Sequence, residues 1–420
     1  MTHFGIISPP VSGHIHPFAA LGRALIARGH RVTYLQMLDL EEKIRAEGLD
    51  FEAIGTTDHP RGSLPASLDA LGRLGGLSAL RFTIQAVAKT TLTVCREAPD
   101  AIRRLKIDAL LVDQMEPAGG AVADHLGIPF VTICNALPLN RDPVAPPAFS
   151  PWRYRQSPFA SVRNAIGYAV SDWLTHPITR LVAEYRARWK LTPLASPDDS
   201  FSTLAQISQM PREFDFPRAA LPPHFHYVGP LRRATPGAIP FPWEQLDGRP
   251  LVYASLGTLQ NSREAVFRCF AEACKDLDVQ LLISHGGGLT DAQASNLPGA
   301  PLVVRYAPQE QLLERAQLTL THAGLNTVLD SLTHGVPLVA VPITYEQPSI
   351  ARRVEWHACG ESISLPQLNF PRLRARLERV LRGDRFRDGA TRIRAAISAA
   401  GGVEKTTVLI ESAVKRYSGG

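Results

Sequence analysis

The chain has 420 residues, 45% of them hydrophobic and 20% charged, with a formal net charge of +6 at pH 7. This length exceeds one hydrophobic core and predicts two domains, while the composition excludes a fibrous or disordered protein. Five scattered cysteines, no recognisable signal peptide and no apolar run near the roughly 20 residues that span a bilayer predict a cytoplasmic protein.

The first elements form a strand–helix–strand unit. Residues 4–7 read as a buried strand, a helix starts near His14, and residues 31–35 read as a second strand. This order indicates a Rossmann-like half, and the absence of G-x-G-x-x-G argues against a dinucleotide bound there. A lone histidine at a helix start is more often a cap or a neighbour of the core than a catalytic group, and we interpret His16 as structural.

A third buried strand, residues 107–113, carries Asp113 at its carboxyl end. An acid at a strand end can orient a nearby imidazole and stabilise its charged form. The alternative is a helix cap or a solvent-facing side chain. Asp108 begins the same strand and therefore lies on the wrong edge of the sheet.

The middle of the chain contains few residues whose function can be inferred from the sequence. Residues 59–100 and 160–190 read as helices. Their apolar residues either line a cleft or pack in the core. For the aromatics of the second segment, including Trp173, core packing is the preferred interpretation. Residues 135–160 are proline-rich and predict an ordered loop or lid. Residues 232–248 read as an interdomain linker.

The second domain opens with a strand and a small polar loop over residues 251–258. Asp276 and Asp278 form a D-x-D triplet, a pattern that can hold a divalent metal. Here the triplet lies between a helix and a strand start, so we interpret it as a helix C-terminal turn. No other group of residues has metal-ligand spacing, and we predict no metal.

Residues 306–347 contain most of the candidate ligand-binding residues. A strand over residues 318–321 leads into a turn that contains His322 and the bare Gly324, and Asn326 and Thr327 are predicted to open a helix that ends near His334. The free N–H groups and the positive dipole end of that helix suit a diphosphate. This turn predicts a diphosphate cradle without a metal or a lysine.

Further polar groups are expected at the same crevice, because the carboxyl ends of parallel strands share one edge of a sheet. Tyr306 can stack on a base, with Gln309 close by. Asp330, one turn inside the helix, can accept from ribose hydroxyls. Glu346 and Gln347, after the following strand, can hold sugar hydroxyls.

Much of the positive charge lies in one segment, residues 372–394, which contains nine arginines. A solvated helix face is the preferred interpretation. A nucleic-acid surface would need interleaved aromatics or a recognisable module, so no nucleic-acid partner is expected. Weak attraction to an anionic membrane, at the inner membrane face, stays open.

At these residues the chain resembles family 1 glycosyltransferases, the UDP-glycosyltransferases. The family pattern is an aromatic followed by x-P-Q, then H-x-G-x-N-[ST]-x-x-E, G-V-P, P and [DE]-Q. It appears here, in order, as Tyr306-Ala307-Pro308-Gln309, His322 to Asp330, Gly335-Val336-Pro337, Pro342 and Glu346-Gln347. The residues Gly13 to Pro17 resemble the family's G-H-x-x-P. Two positions depart from the pattern: Tyr306 stands where Trp is frequent, and Asp330 replaces the usual Glu.

The resemblance implies an α/β protein of the GT-B type, with two Rossmann-like lobes facing across a cleft and a C-terminal helix that crosses back to the first lobe. The implied acceptor lobe is 1–231 with 404–420, the linker is 232–248, and the nucleotide-sugar lobe is 249–403. It also implies that His14 is the catalytic base and that Asp113 pairs with it. The implied donor-binding residues are Ser255, Thr258, Tyr306, Ala307, Gln309, His322, Gly324, Asn326, Thr327, Asp330, Glu346 and Gln347.

The implied reaction is inverting transfer of a hexose, glucose from UDP-glucose, to a hydroxyl of a lipophilic acceptor, with no cofactor beyond the nucleotide sugar. Bacterial carotenoid glucosyltransferases of the zeaxanthin type look most similar, and macrolide and flavonoid transferases share the motifs. Two alternatives stay open here. One is a nucleotide-sugar epimerase or hydrolase on the same fold, and the other is a non-catalytic nucleotide-sugar-binding protein.

Overall fold

A computed structural model of the protein describes residues 1–74, 76–232, 239–258 and 260–419. Strands and helices alternate along the chain, and the described strands pair in parallel into two separate sheets. The predicted linker lies between the two sheets, although its positions 233–238 fall outside the described residues. The protein therefore has two Rossmann-like α/β lobes, as the sequence predicts.

The first lobe contains a seven-stranded sheet in the order β3-β2-β1-β4-β5-β6-β7. Its strands are β1 (His3–Ile7), β2 (Arg31–Gln36), β3 (Asp50–Ala53), β4 (Ala109–Asp113), β5 (Phe130–Cys134), β6 (Gln206–Ser208) and β7 (Phe225–Tyr227). Its helices are α1 (Ser12–Ala27), α2 (Glu41–Ala46), α3 (Ser63–Arg73), α4 (Gly76–Leu105), α5 (Gly119–Leu126) and α6 (Pro158–Arg188). Every residue of β1 and β4 is buried, because helices cover both faces of a parallel sheet.

The second lobe contains a six-stranded sheet in the order β10-β9-β8-β11-β12-β13. Its strands are β8 (Leu251–Ser255), β9 (Gln280–Ser284), β10 (Leu302–Val304), β11 (Ala316–Thr321), β12 (Leu338–Ala340) and β13 (Gly360–Ser362). The helices of this half are α7 (Glu264–Cys274), α8 (Asp291–Ser295), α9 (Gln309–Leu313), α10 (Leu325–Thr333), α11 (Gln347–Trp356), α12 (Phe370–Arg382) and α13 (Asp384–Ala400).

The last helix, α14 (Gly402–Ser418), returns to the first lobe and packs against α1. Ile410 and Ala413 are fully buried in the same core as Phe4 and Phe18. Glu411 accepts from Arg28, which follows α1. The C-terminal helix thus crosses back to the first lobe, because its apolar face completes that core.

The structure differs from the sequence predictions in two helical segments. Trp173 of α6, expected in the core, is 76% exposed. The arginine-rich segment is two helices, α12 and α13, separated at Gly383. Among the described residues, no helix is both long and apolar enough to cross a membrane.

Candidate active site

His14 and Asp113 meet at the carboxyl edge of the first sheet. β1 and β4 are neighbours, α1 follows β1, and Asp113 ends β4. Nδ1 of His14 lies 2.7 Å from Oδ2 of the fully buried Asp113. The backbone N–H of Met115 and the side-chain amide of Asn135 donate to the same carboxylate at 2.8 and 2.9 Å. These donors fix the carboxylate, which in turn fixes the ring of His14.

The electrostatics of this pair favour proton uptake by His14. Burial alone would lower the pKa of the His14 imidazole, but the Asp113 carboxylate, with a smaller contribution from Glu346, raises that pKa above its ordinary value. Glu346 belongs to the second lobe, at the start of α11, and burial raises the pKa of its carboxyl. A carboxylate of the second lobe therefore acts electrostatically on an imidazole of the first lobe.

The turn after β11 places His322 between two glycines. A methyl group on Gly257 would lie 2.8 Å from Cε1 of His322, and one on Gly324 would lie 2.5 Å from its Nε2. Burial lowers the pKa of His322 to about 4. The ring is consequently neutral near pH 7, so it can donate an N–H to a phosphate but cannot act as a cation.

The helix start differs from the sequence prediction at two residues. α10 begins at Leu325 with Gly324 as its N-cap, so Asn326 and Thr327 lie inside the first turn. Thr327 is buried. The Asn326 side chain instead joins the lobes: its amide donates to the carbonyl of Gly13 at 2.8 Å. The starts of α1 and α10 therefore face each other across the cleft.

The predicted base and ribose residues lie around one hydrogen-bond network. Tyr306, the predicted base-stacking residue, is 54% exposed, whereas Ala307 is buried. The side-chain amide of Gln309 donates to Asp330 at 2.6 Å, and its oxygen accepts from the hydroxyl of Tyr253 at 3.1 Å. The structure thus brings Gln309 and Asp330 together.

The remaining donor candidates divide into exposed and internally bonded groups. Thr258 is exposed in its loop, whereas the buried Ser255 accepts from the backbone of Gly257 at 3.2 Å. The side-chain oxygen of Gln347 accepts from the backbone N–H groups of residues 343 and 344, both at 2.9 Å. Gln347 therefore holds the loop that presents Glu346, and only its N–H₂ group is left for a ligand.

Known protein families show which one the chain belongs to. The family model described as UDP-glucoronosyl and UDP-glucosyl transferase matches residues 78–396, about three quarters of the chain. A second model, the N-terminal domain of glycosyltransferase family 28, matches residues 12–102. The chain is a UDP-glycosyltransferase.

Individual relatives of this UDP-glycosyltransferase extend over its whole length. It is 40% identical to zeaxanthin glucosyltransferase of Pantoea ananas, covering 98% of the chain and 96% of the relative. It is 35% identical to zeaxanthin glucosyltransferase of Pseudescherichia vulneris, covering 99% and 98%. Among solved structures, the calicheamicin glycosyltransferase CalG4 superposes with a TM-score of 0.75 at 21% identity, covering 99% of each chain.

These matches establish the GT-B fold and a transferase enzyme. The epimerase, hydrolase and non-catalytic binding alternatives are therefore set aside. Within the residues that the structure describes, no group of three or more His, Cys, Asp or Glu side chains is arranged to hold a metal ion.

Sequence reasoning missed Arg232 of this UDP-glycosyltransferase. Nε of Arg232 donates to Asp330, and its terminal nitrogens donate to the backbone and side-chain oxygens of Asn326 and to Gln209. Arg232 lies between β7 and β8, at the start of the predicted linker, so it connects residues of the second lobe to the first. Its only signal in the sequence was its position beside the linker, since no motif contains it.

Glu116 was also missed. Glu116 follows Asp113 shortly in the sequence and is buried. Burial raises the pKa of its carboxyl to about 7. It lines a small cavity next to Ser8 and Gln36 at the carboxyl edge of the first sheet. Besides His14 and Asp113, the first lobe thus holds a buried carboxyl whose pKa is raised toward neutral by burial.

The proposed ribose contact of Asp330 gives a binding prediction. Replacing Asp330 with alanine removes a charged acceptor and should weaken UDP binding by roughly 1–3 kcal/mol in titration calorimetry. Binding of dTDP, which lacks one ribose hydroxyl, should weaken less. Asp276→Ala, at an exposed carboxylate paired with Arg374, is the control and should bind UDP normally. Unchanged UDP affinity in Asp330→Ala would leave Asp330 with a structural role, as the partner of Arg232 and Gln309.

Proposed function

We propose that this UDP-glycosyltransferase transfers glucose from UDP-glucose to a hydroxyl of a lipophilic small molecule, with a hydroxylated carotenoid such as zeaxanthin as the acceptor. The observation that carries the chemistry is the 2.7 Å contact between His14 and the buried Asp113. This pair lies on the lobe opposite the turn between β11 and α10, which contains His322 and which we name the donor turn. Full-length identities of 40% and 35% to zeaxanthin glucosyltransferases support this choice of acceptor over polyketides and phenolics.

The proposed first event is proton removal. An alcohol is a weak nucleophile at neutral pH, so its proton must leave as the new bond forms. Nδ1–H of His14 donates to Asp113, which leaves Nε2 as the nitrogen that takes the acceptor's proton. Asp113 fixes that tautomer and stabilises the imidazolium that results.

Bond exchange follows at the anomeric carbon of the sugar. The acceptor oxygen forms its bond to this carbon while the bond to the diphosphate oxygen breaks, and UDP leaves with the electron pair. The neutral His322 donates an N–H to the departing diphosphate, and the N-terminus of α10 adds backbone N–H groups and dipole. Attack opposite the leaving group converts an α-linked donor into a β-linked product. Glu346 and the amide of Gln347 hold the sugar hydroxyls.

The deciding experiment is product analysis. The purified protein is incubated with UDP-glucose and a panel that contains zeaxanthin, a macrolide and a flavonoid, and products are followed by mass spectrometry. We expect a hexose-bearing carotenoid whose linkage is β by NMR. Release of UDP that is independent of every acceptor, or an α-linked product, would contradict the proposal.

The reaction is also proposed to be independent of metal, because His322 and the N-terminus of α10 stabilise the negative charge of the leaving diphosphate. Transfer should continue at an unchanged rate in excess EDTA. The control adds Mg²⁺ or Mn²⁺ to the treated enzyme, and restoration of a lost activity by either ion would overturn this account of the leaving group.

A further inference from the structure

An apolar stripe runs along the outer side of α6. Its residues recur at intervals of three and four, which places them on one side of a helix. The stripe consists of Phe159 (81% exposed), Val162 (59%), Ile166 (59%), Val170 (49%) and Trp173 (76%). At 1.5 Å per residue it extends about 21 Å. Scattered exposed apolar side chains are ordinary, whereas a continuous exposed stripe indicates an interaction surface.

The other side of α6 already has its packing partners. Ala160, Asn164, Ile178 and Val182 are buried. Helix α6 packs against α4, whose N-terminal half exposes Leu77 to 79%. The stripe is therefore unpartnered within the described chain and is not needed to complete the core.

Most of the charge around the stripe is positive. No acidic residue occurs between positions 143 and 171, which cover the stripe up to Val170, or between positions 70 and 96, which cover the first half of α4. Asp172, next to Trp173, is already paired with Arg141. Arg153 and Arg155 precede α6 and Arg81 lies on α4. All three are exposed, and no carboxylate pairs with them among the residues described. An exposed apolar stripe bordered by unpaired arginines matches an interface with apolar interior and anionic headgroups.

We propose that the α6 stripe docks this enzyme on an anionic lipid bilayer, with Phe159 and Trp173 inserted at the headgroup boundary and Arg81, Arg153 and Arg155 against the lipid phosphates. A second copy of the chain is a poorer occupant, because a two-fold interface would set the same arginines of both copies against each other. An acidic protein partner would satisfy the arginines without needing the apolar length of the stripe.

This placement differs from the surface that the sequence indicated. The arginines of α12 and α13 are largely engaged within the protein. Five of the nine donate to main-chain oxygens or carboxylates: Arg372, Arg374, Arg376, Arg379 and Arg392. Their charges are therefore less available to lipid than those beside the α6 stripe.

Helix α4, which packs against α6, connects the stripe to the cleft. Thr83 of α4 lowers the pKa of the hydroxyl of Tyr345, the neighbour of Glu346, against the rise caused by burial. Docking would then bring the cleft to the surface of a membrane that dissolves the acceptor, a consequence that rests on the proposed function. The docking itself does not depend on which acceptor is used.

The test is co-sedimentation of the full chain with vesicles, without donor or acceptor. We expect binding to phosphatidylglycerol-containing vesicles, weaker binding to pure phosphatidylcholine, and a decrease with added salt. The double variant F159S/W173S should lose binding by tenfold or more, since both side chains would otherwise be removed from water. R153E/R155E should lose roughly tenfold on anionic vesicles only. F370S and R387E, exposed positions of α12 and α13, are the matched controls and should bind as the parent does.

Several results would overturn the proposal: no sedimentation with anionic vesicles at low salt, equal binding by F159S/W173S, or loss of binding in the α12 and α13 controls instead. Concentration-dependent dimerisation that F159S/W173S abolishes would assign the stripe to a second copy. Transfer to acceptors dispersed in detergent should be unchanged in F159S/W173S, so failure of the proposed acceptor is distinguishable from failure of docking.

Discussion

Replacing His14 with alanine should lower turnover by about 10²–10⁴-fold while UDP binds normally. The proposed diphosphate site, at the turn between β11 and α10, belongs to the other lobe, so the variant removes the proposed base and leaves that turn intact. Turnover is measured with UDP-glucose and zeaxanthin, and UDP affinity by calorimetry. His16→Ala is the matched control, because His16 lies on the same helix with 57% of its side chain exposed. Near-normal turnover in His14→Ala would show that another group carries the chemistry.

Asp113 should behave as part of the same unit. Asp113→Asn should lose less turnover than His14→Ala, and the double variant should be far from additive. The dependence of kcat/KM on pH shows whether Asp113 positions His14 or only stabilises the fold. The base works only when neutral, so kcat/KM should fall as pH decreases through the raised pKa of His14. Asp113→Asn removes the main cause of that rise, so this acidic limb should move to lower pH.

Glu116 is the control for that profile. Its carboxyl has a pKa of about 7, so it titrates in the range in which the acidic limb is measured. Glu116→Gln should leave the limb in place if His14 is the base. A limb that disappears in Glu116→Gln and remains in Asp113→Asn would instead assign the titration to Glu116.

Replacing Asp215 with alanine should destabilise the protein by about 3–5 kcal/mol, the range for breaking a buried ion pair. Asp215 accepts from Arg218, from Arg353 of α11 and from the Tyr227 hydroxyl, all between 2.7 and 2.9 Å. The side chains of Asp215 and Arg353 are 1% and 0% exposed. The variant leaves two guanidinium groups buried without their carboxylate. Because Arg353 belongs to the second lobe and Asp215 to the first, contact between the lobes should weaken as well.

Urea unfolding at pH 7 measures this effect. Asp276→Ala, at a carboxylate that is 65% exposed, should change the free energy of unfolding by less than about 1 kcal/mol. Adding Arg353→Met to Asp215→Ala should recover part of the loss, since one unpaired buried charge is removed. A loss in Asp215→Ala no larger than in Asp276→Ala would contradict the buried-pair account.

The same pair gives a pH dependence of stability. Burial alone would raise the pKa of the Asp215 carboxyl, but Arg218 and Arg353 outweigh it and lower that pKa below its ordinary value. A carboxyl with a lowered pKa stabilises the fold above its unfolded pKa of about 3.9, and this contribution is lost as pH falls toward the lower folded value. The parent protein should therefore lose stability in acid more steeply than Asp215→Ala does.

The sequence alone determined the parts of this protein that depend on strand ends. Buried runs such as residues 4–7 and 107–113 specify parallel strands, and residues just after a strand lie on the carboxyl edge wherever the strand sits in the sheet. His14 and Asp113, 99 positions apart, could therefore be placed on one edge from pattern and family resemblance. The donor turn between β11 and α10 was predictable for the same local reason, apart from its first helical residue.

Only the tertiary structure decided which groups meet between the lobes and which apolar residues stay exposed. Arg232 with Asp330, Asn326 with Gly13 and Asp215 with Arg353 are joined by lobe packing, and no periodicity within one element encodes such a distant partner. Helix α6 is apolar on two sides, so its sequence pattern could not show which side the core would cover. Burial depends on what packs against an element, and that is set by the whole chain.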